Sequence, residues 1–201
     1  MKLGIYGGTF SPVHIGHLRA AETFKEQLRL DKLMIIPANI PPHKAALGIL
    51  PANERLILCQ LAFGGETTEV SDIEMRRADK SYTVDTLEQL KKQGYGDIYM
   101  LCGTDMIASF ESWRRYKDIF SLATVVWAQR YEHPDDAVKA AEEKIEYFER
   151  AYGAKIIKLD LPPTDVSSSE IRRMIKNGED VSAYLPKAEY DYIKKKGFYL
   201  D

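Results

Sequence analysis

Cysteine is scarce in this chain. Of its 201 residues only Cys59 and Cys102 are thiols, and they form no CxxC pair. That excludes a disulfide framework and a cysteine-built zinc site, and it points to a reducing compartment. Long apolar runs are missing too. None approaches the roughly 20 residues needed to cross a bilayer. The opening Met1-Lys2-Leu3-Gly4-Ile5-Tyr6 runs straight into glycines, which is not how a secretory leader reads. The expectation is a soluble, cytoplasmic protein with no membrane partner. An excess of positive charge is also absent. The 28 Lys and Arg against 30 Asp and Glu leave a net charge of −2, with the basic residues dispersed. No basic face is therefore expected for a nucleic-acid polymer, although a small anion held by a few local cations is compatible with this balance. Internal repeats, low-complexity tracts and linker-like stretches are absent. Nothing in the pattern decides for or against a homo-oligomer.

What is present is an alternation of short apolar runs with longer amphipathic ones. Leu3 to Tyr6 reads as a strand stopped by Gly7-Gly8, and Leu18, Ala21, Phe24 and Leu28 then recur at helical spacing. Leu33 to Ile36 is a second strand halted by Pro37. Pro51 opens a helix whose apolar face is expected to include Leu56 and Leu61. Glu69 to Ile73 is a candidate third strand. A helix capped by Ser81 or Thr83 runs through Leu87 and Leu90 to Gly94. Ile98 to Cys102 and Leu122 to Trp127 are further strands. A charged helix follows from Pro134 to Ala151, with Val138, Ala141, Ile145 and Phe148 on one face. Ile156 to Leu161 is the last strand, with helices near Ser168–Lys176 and Lys187–Lys195. Strands separated by helices predict an α/β fold: a doubly wound parallel sheet, Rossmann-like, covered on both faces. One domain over residues 1–201 is expected, residues 167–201 forming a helical extension. In such sheets ligands bind beyond the carboxyl ends of the strands, where the strand order reverses.

The loop after the first strand is therefore the first place to look. Gly7-Gly8-Thr9-Phe10 leads through Ser11-Pro12-Val13 to His14-Ile15-Gly16-His17. Glycines there let the backbone turn and approach a ligand. His14 and His17 flank a helix start, whose unpaired N–H groups and positive dipole end suit phosphate. Imidazoles add donors that can follow charge building on a phosphate oxygen. The plainer alternative is a tight turn with a histidine cap. Zinc would need a third ligand, and no cysteine or acid lies nearby. The string matches neither the GxxxxGK[ST] loop nor GxGxxG.

This pair of elements, Gly7-Gly8-Thr9-Phe10 and His14-Ile15-Gly16-His17, resembles the HxGH superfamily of nucleotidyltransferases. The resemblance implies a doubly wound sheet and two histidines that contact the phosphates of ATP and stabilise the transition state. Many members carry Asp or Asn where this chain has Ser11. Near the C-terminus, Ser167-Ser168-Ser169-Glu170-Ile171-Arg172-Arg173 is by itself a capping box followed by surface arginines, or a second anion seat with an arginine clamp. It resembles the superfamily's SSxxxR element, which implies that Arg172 holds the outgoing pyrophosphate, with Arg173 its outward neighbour.

Three further segments speak to the second substrate. Pro41-Pro42-His43-Lys44 is either a rigid surface turn or a loop whose His43 and Lys44 meet a phosphate. Ser81-Tyr82-Thr83 begins a helix. Gly103-Thr104-Asp105 ends a strand, where an acid can accept from ribose hydroxyls. Trp113, in the core or stacked on a heterocycle, follows. Together they resemble the bacterial nicotinate mononucleotide adenylyltransferases, over nearly the whole chain. The resemblance implies transfer of AMP from ATP to nicotinate mononucleotide, with release of pyrophosphate. Gly7, Gly8, Thr9, Phe10, Gly16, Gly103, Asp105 and Ser167 to Ser169 would then bind ATP. His43, Lys44, the backbone near Thr83, Trp113 and Arg130 would bind the mononucleotide. His14, His17, Lys44 and Arg172 would stabilise charge. Mg²⁺ is expected to arrive with ATP and keep several waters, so no dedicated carboxylate cage is expected. The alternatives are a pantetheine-phosphate adenylyltransferase, a cytidylyltransferase acting on an alcohol phosphate, and a nucleotide-binding module without turnover.

Overall fold

The computed structural model describes residues 1–40, 48–77, 80–129, 135–161 and 166–200. The chain runs through β1 (Lys2–Gly8), α1 (Ile15–Gln27), β2 (Lys32–Pro37), α2 (Ala52–Ala62), β3 (Thr68–Val70), α3 (Thr83–Lys92) and β4 (Asp97–Gly103). It continues through α4 (Thr104–Ser109), α5 (Tyr116–Leu122), β5 (Thr124–Gln129), α6 (Asp135–Tyr152), β6 (Ile156–Asp160), α7 (Ser168–Lys176) and α8 (Lys187–Lys196). The six strands pair in the order β3-β2-β1-β4-β5-β6, all parallel. The doubly wound sheet is thus present. The order turns back at β1, which pairs with β2 on one side and β4 on the other. The crevice beyond the carboxyl ends of β1 and β4 is where such a sheet leaves space for a ligand.

Alternate residues of the strands feed two cores. Leu3, Ile5, Met100, Cys102 and Val125 pack with Leu87, Leu90, Ile107 and Phe148 on one face. Leu33, Ile35, Leu101 and Val126 pack with Ala21, Phe24 and Cys59 on the other. A third cluster joins Leu58 of α2 to Ile171 of α7 and Ile193 of α8, which ties the C-terminal helices to the sheet domain. Gly4 is dictated by packing: a methyl added there would sit 2.3 Å from Leu30 and 2.9 Å from Phe24.

Several boundaries differ from the sequence expectation. The third strand is only Thr68–Val70, and Ile73 lies in the following turn as a buried core residue. Leu122 ends α5, so the strand begins at Thr124. Helices α4 and α5 were not expected: they are too short for helical periodicity to show. On α2 the buried stripe is Arg55, Leu58 and Cys59, whereas Leu61 is 37% exposed and Leu56 is half-buried. Neither Ser81 nor Thr83 caps α3. Tyr82 takes that position without a side-chain bond, and Ser81 Oγ instead accepts from the Asn39 N–H at 2.9 Å. The charged helix keeps its expected face, with Ala141 and Phe148 fully buried.

Candidate active site

The segment between β1 and α1 presents the two histidines as a reciprocal cap. His14 is the N-cap residue, and its Nδ1 accepts from the Gly16 N–H at 3.2 Å. His17, one turn on, accepts from the His14 N–H at 3.2 Å, also through Nδ1. The ring centres lie 3.8 Å apart. This is a capping box in which imidazoles replace the usual hydroxyl and carboxylate. Because each Nδ1 is an acceptor, the ring hydrogen of each histidine sits on Nε2. His14 is buried and His17 half-buried, and His17 lies edge-on to Phe10 at 5.2 Å.

The start of α7 is brought against the same loop. Ser167 caps the helix by accepting from the Glu170 N–H at 3.2 Å, and Glu170 reaches back to the Ser167 N–H at 2.9 Å. Ser168 Oγ donates to the Pro12 carbonyl at 2.9 Å, and Arg172 Nη1 donates to the Ser11 carbonyl at 2.8 Å. Arg172 Nη2 also donates to Ser169 Oγ at 3.3 Å. The capping box is therefore present and starts the helix, and the contacts to Ser11 and Ser169 fix where Arg172 stands.

A cavity of about 480 Å³ opens at this point, within the range of small-molecule sites. Gly7, Gly8, Thr9, Phe10, His14, His17, Gly103, Asp105, Ser167, Ser168, Ser169 and Arg172 all line it. Tyr6, Ser11, Ile49, Leu101, Thr104, Met106, Ala128 and Leu161 complete its wall and floor with Ala20. Neither Gly7 nor Gly103 has a left-handed backbone. A methyl at Gly103 would meet nothing within 4 Å, and one at Gly7 only the Ile36 carbonyl at 4.0 Å. Packing does not require glycine at either place, so what the missing side chains leave is room in the cavity.

Not every expected residue joins this set. Gly16 is buried and serves the His14 cap rather than the cavity wall. Thr83 begins α3 and Trp113 follows α4, and neither lines the cavity. Trp113 stacks on the core residue Phe110, with ring centres 4.8 Å apart and planes 15° apart. His43, Lys44 and Arg130 lie outside the described residues.

One organising residue escaped the sequence reading. Arg55 of α2 is 1% exposed and donates to the carbonyls of Leu50, Thr9 and Asn39, each at 2.9 Å. A guanidinium is the one side chain that can tie three separate loop carbonyls in a plane. Burial lowers its pKa. The available signal was its spacing: Arg55 shares a helix stripe with Leu58 and Cys59, an unusual place for a solvated cation.

The cytidylyltransferase-like family model matches residues 5–174, from β1 into α7. The chain is 36% identical over 200 residues to a probable nicotinate-nucleotide adenylyltransferase of Clostridium tetani, covering 98% of both chains. A second such relative, from Syntrophotalea carbinolica, is 37% identical over 212 residues, covering 99% of this chain and 97% of the other. This chain belongs to the nicotinate-nucleotide adenylyltransferase family, within the cytidylyltransferase-like nucleotidyltransferases. Its fold agrees with a Plasmodium falciparum nicotinic acid mononucleotide adenylyltransferase complexed with NaAD. The TM-score is 0.80 at 18% identity, over 98% of this chain and 97% of that one.

Proposed function

We propose that this chain joins the AMP part of ATP to nicotinate mononucleotide, giving nicotinate adenine dinucleotide and pyrophosphate, a step of NAD biosynthesis. One observation carries the reading. The reciprocal His14–His17 cap and the Arg172-bearing start of α7 converge on one cavity at the β1/β4 crevice, in a chain related end to end to that family.

The chemistry follows from the groups present. The mononucleotide phosphate is largely ionised at neutral pH, since the second pKa of a phosphate monoester is about 6. It therefore needs no general base to attack the α-phosphorus in line. What the protein supplies is position and charge stabilisation. The Nε2–H groups of His14 and His17 donate to oxygens on which charge builds, and Arg172, already fixed to Ser11, holds the departing pyrophosphate. Ser167 to Ser169 add donors at the helix start. Gly7 and Gly103 leave space for the nucleotide against the strand ends, with Asp105 set to accept from ribose hydroxyls. His43, Lys44, the backbone at Thr83, Trp113 and Arg130 are assigned to the mononucleotide by family resemblance.

Magnesium, when bound with ATP, would supply neutralisation of the phosphate charge. Among the described residues, Asp105 is the one carboxylate lining the cavity, and no group of three or more metal-ligand side chains occurs. That donor set fits a metal held mainly by phosphate oxygens and water. Burial pushes the thiols of Cys59 and Cys102 well above their usual range, so neither is a nucleophile in this scheme. Among the described residues no helix is long and apolar enough to cross a membrane. Two free, buried cysteines support a cytoplasmic setting. The whole chain is taken as one catalytic unit, with residues 167–201 as its helical part.

The test is pyrophosphate release from ATP and Mg²⁺ with nicotinate mononucleotide, nicotinamide mononucleotide and phosphopantetheine offered in parallel. Turnover with the first alone supports the reading. Turnover with phosphopantetheine keeps the histidine chemistry and overturns the acceptor, and silence with all three leaves a binding module.

A further inference from the structure

The two peptide N–H groups that flank His14 both bond to the C-terminal part of the chain. The Ile15 N–H donates to the Tyr184 carbonyl at 2.9 Å, and the Val13 N–H donates to Glu189 Oε1 at 2.8 Å. Tyr184 lies just before α8, and Glu189 sits in its first turn.

Glu189 is an improbable residue for its surroundings. It is 0% exposed. Its helix packs in the apolar cluster of Leu58, Val166, Ile171, Leu185 and Ile193. Its second oxygen, Oε2, has no hydrogen-bond partner among the described residues. Burial drives the carboxyl well above the usual range, the Val13 N–H opposing this only in part. An apolar side chain of similar size would pack there without that desolvation cost. Among the described residues, the one hydrogen bond of the carboxyl goes to the N–H of Val13, the residue before the first histidine.

We propose that Glu189 is a positioning residue for adenylyl transfer, its Oε1 fixing the Val13 peptide and through it the backbone that aims His14 and His17. This rests on the histidines acting as charge-stabilising donors, as argued above. A donor aimed at a transition state loses most of its effect when displaced by about 1 Å, so a backbone anchor can govern turnover without touching substrate. The expected signature is a fall in kcat with little change in the KM for ATP, because the cavity walls formed by the strand ends and α7 stay in place.

The experiment compares the full-length wild type with Glu189→Leu, Glu189→Gln and Glu189→Asp by pyrophosphate release and thermal melting. Leucine fills the site but cannot accept from Val13; it should melt no lower than wild type yet lose about tenfold or more in kcat. Glutamine keeps a carbonyl acceptor in the same place and should restore kcat to within about twofold. Aspartate is one methylene short of Val13 and should behave like leucine, which keeps the test open if leucine fails to fold. Leucine or aspartate variants with wild-type kcat, or a glutamine variant as slow as leucine, overturn the proposal. A silent wild type would instead mark failure of the functional reading itself.

Discussion

The hydroxyls of Ser11 and Tyr199 lie 2.9 Å apart, joined across 188 positions of sequence. Ser11 Oγ also accepts from the Leu50 N–H at 3.2 Å, and Ser11 is 1% exposed. One hydroxyl thus links the histidine loop, the segment entering α2 and the C-terminal tail. Many HxGH enzymes carry Asp or Asn at this place, and here the group is absorbed by structure. Removing both partners in a double-mutant cycle of Ser11→Ala and Tyr199→Phe should show a coupling of about 1 kcal/mol in urea unfolding. A coupling near zero would mean that the contact contributes nothing to stability.

The capping contact of His17 and its proposed part in catalysis are separable. Its Nδ1 accepts from the His14 N–H, a task that glutamine at the same helix position also performs. His17→Gln should therefore unfold at nearly the wild-type denaturant concentration while losing about 10²–10³ in turnover, the usual worth of a preorganised donor. His17→Ala should lose as much turnover and some stability besides. Near-wild-type turnover in the glutamine variant would reduce His17 to a cap.

Glycines of the site divide into those required by packing and those that leave space. A methyl at Gly8 would lie 2.8, 2.9 and 3.1 Å from three ring atoms of Phe10. Phe10 is held edge-on by Tyr6 at 5.3 Å and Phe63 at 5.8 Å, so the ring has nowhere to swing. Gly8→Ala should cost about 1–3 kcal/mol of stability, as overpacking does. Gly103→Ala meets no neighbour within 4 Å and should fold normally. Its methyl enters the cavity, and the KM for ATP should rise about tenfold, equivalent to roughly 1.4 kcal/mol. Equal effects of the two variants on stability would refute this division.

The sheet and the histidine loop were legible because they are written locally. Strand runs, the glycine pair and the HxxH spacing all fall within a few residues, and so does the capping box of Ser167 and Glu170. Glu189 was not legible, and Arg55 left only the hint of its spacing with Leu58 and Cys59. Each is an ordinary charged residue on a helix until tertiary contact buries it, Arg55 under three loop carbonyls and Glu189 against Val13. Trp113 shows the same limit from the other side. Its stacking partner within the chain is Phe110, three residues away, and the local sequence does not say which of its faces the core takes.

The last prediction concerns pH and carries a definite sign. Burial raises the carboxyl of Glu189 well above 4.5, so over the interval above that value the folded state holds a proton that the unfolded state has released. Stability falls with pH wherever the folded state binds more protons. The contribution of Glu189 is thus fully present below pH 4.5 and is lost as pH rises through the folded value. Glu74 is also raised by burial, against the opposing hydrogen bonds of Ser81 and Thr86, but it is common to wild type and variant and cancels in their comparison. Glu189→Gln carries no proton equilibrium at this position. Its stability relative to wild type should therefore grow as pH rises above about 4.5 toward the folded value, in urea titrations at constant ionic strength. A difference that shrank with pH would show that position 189 is held as a carboxylate, favoured by the Val13 N–H and the start of α8 over the cost of burial.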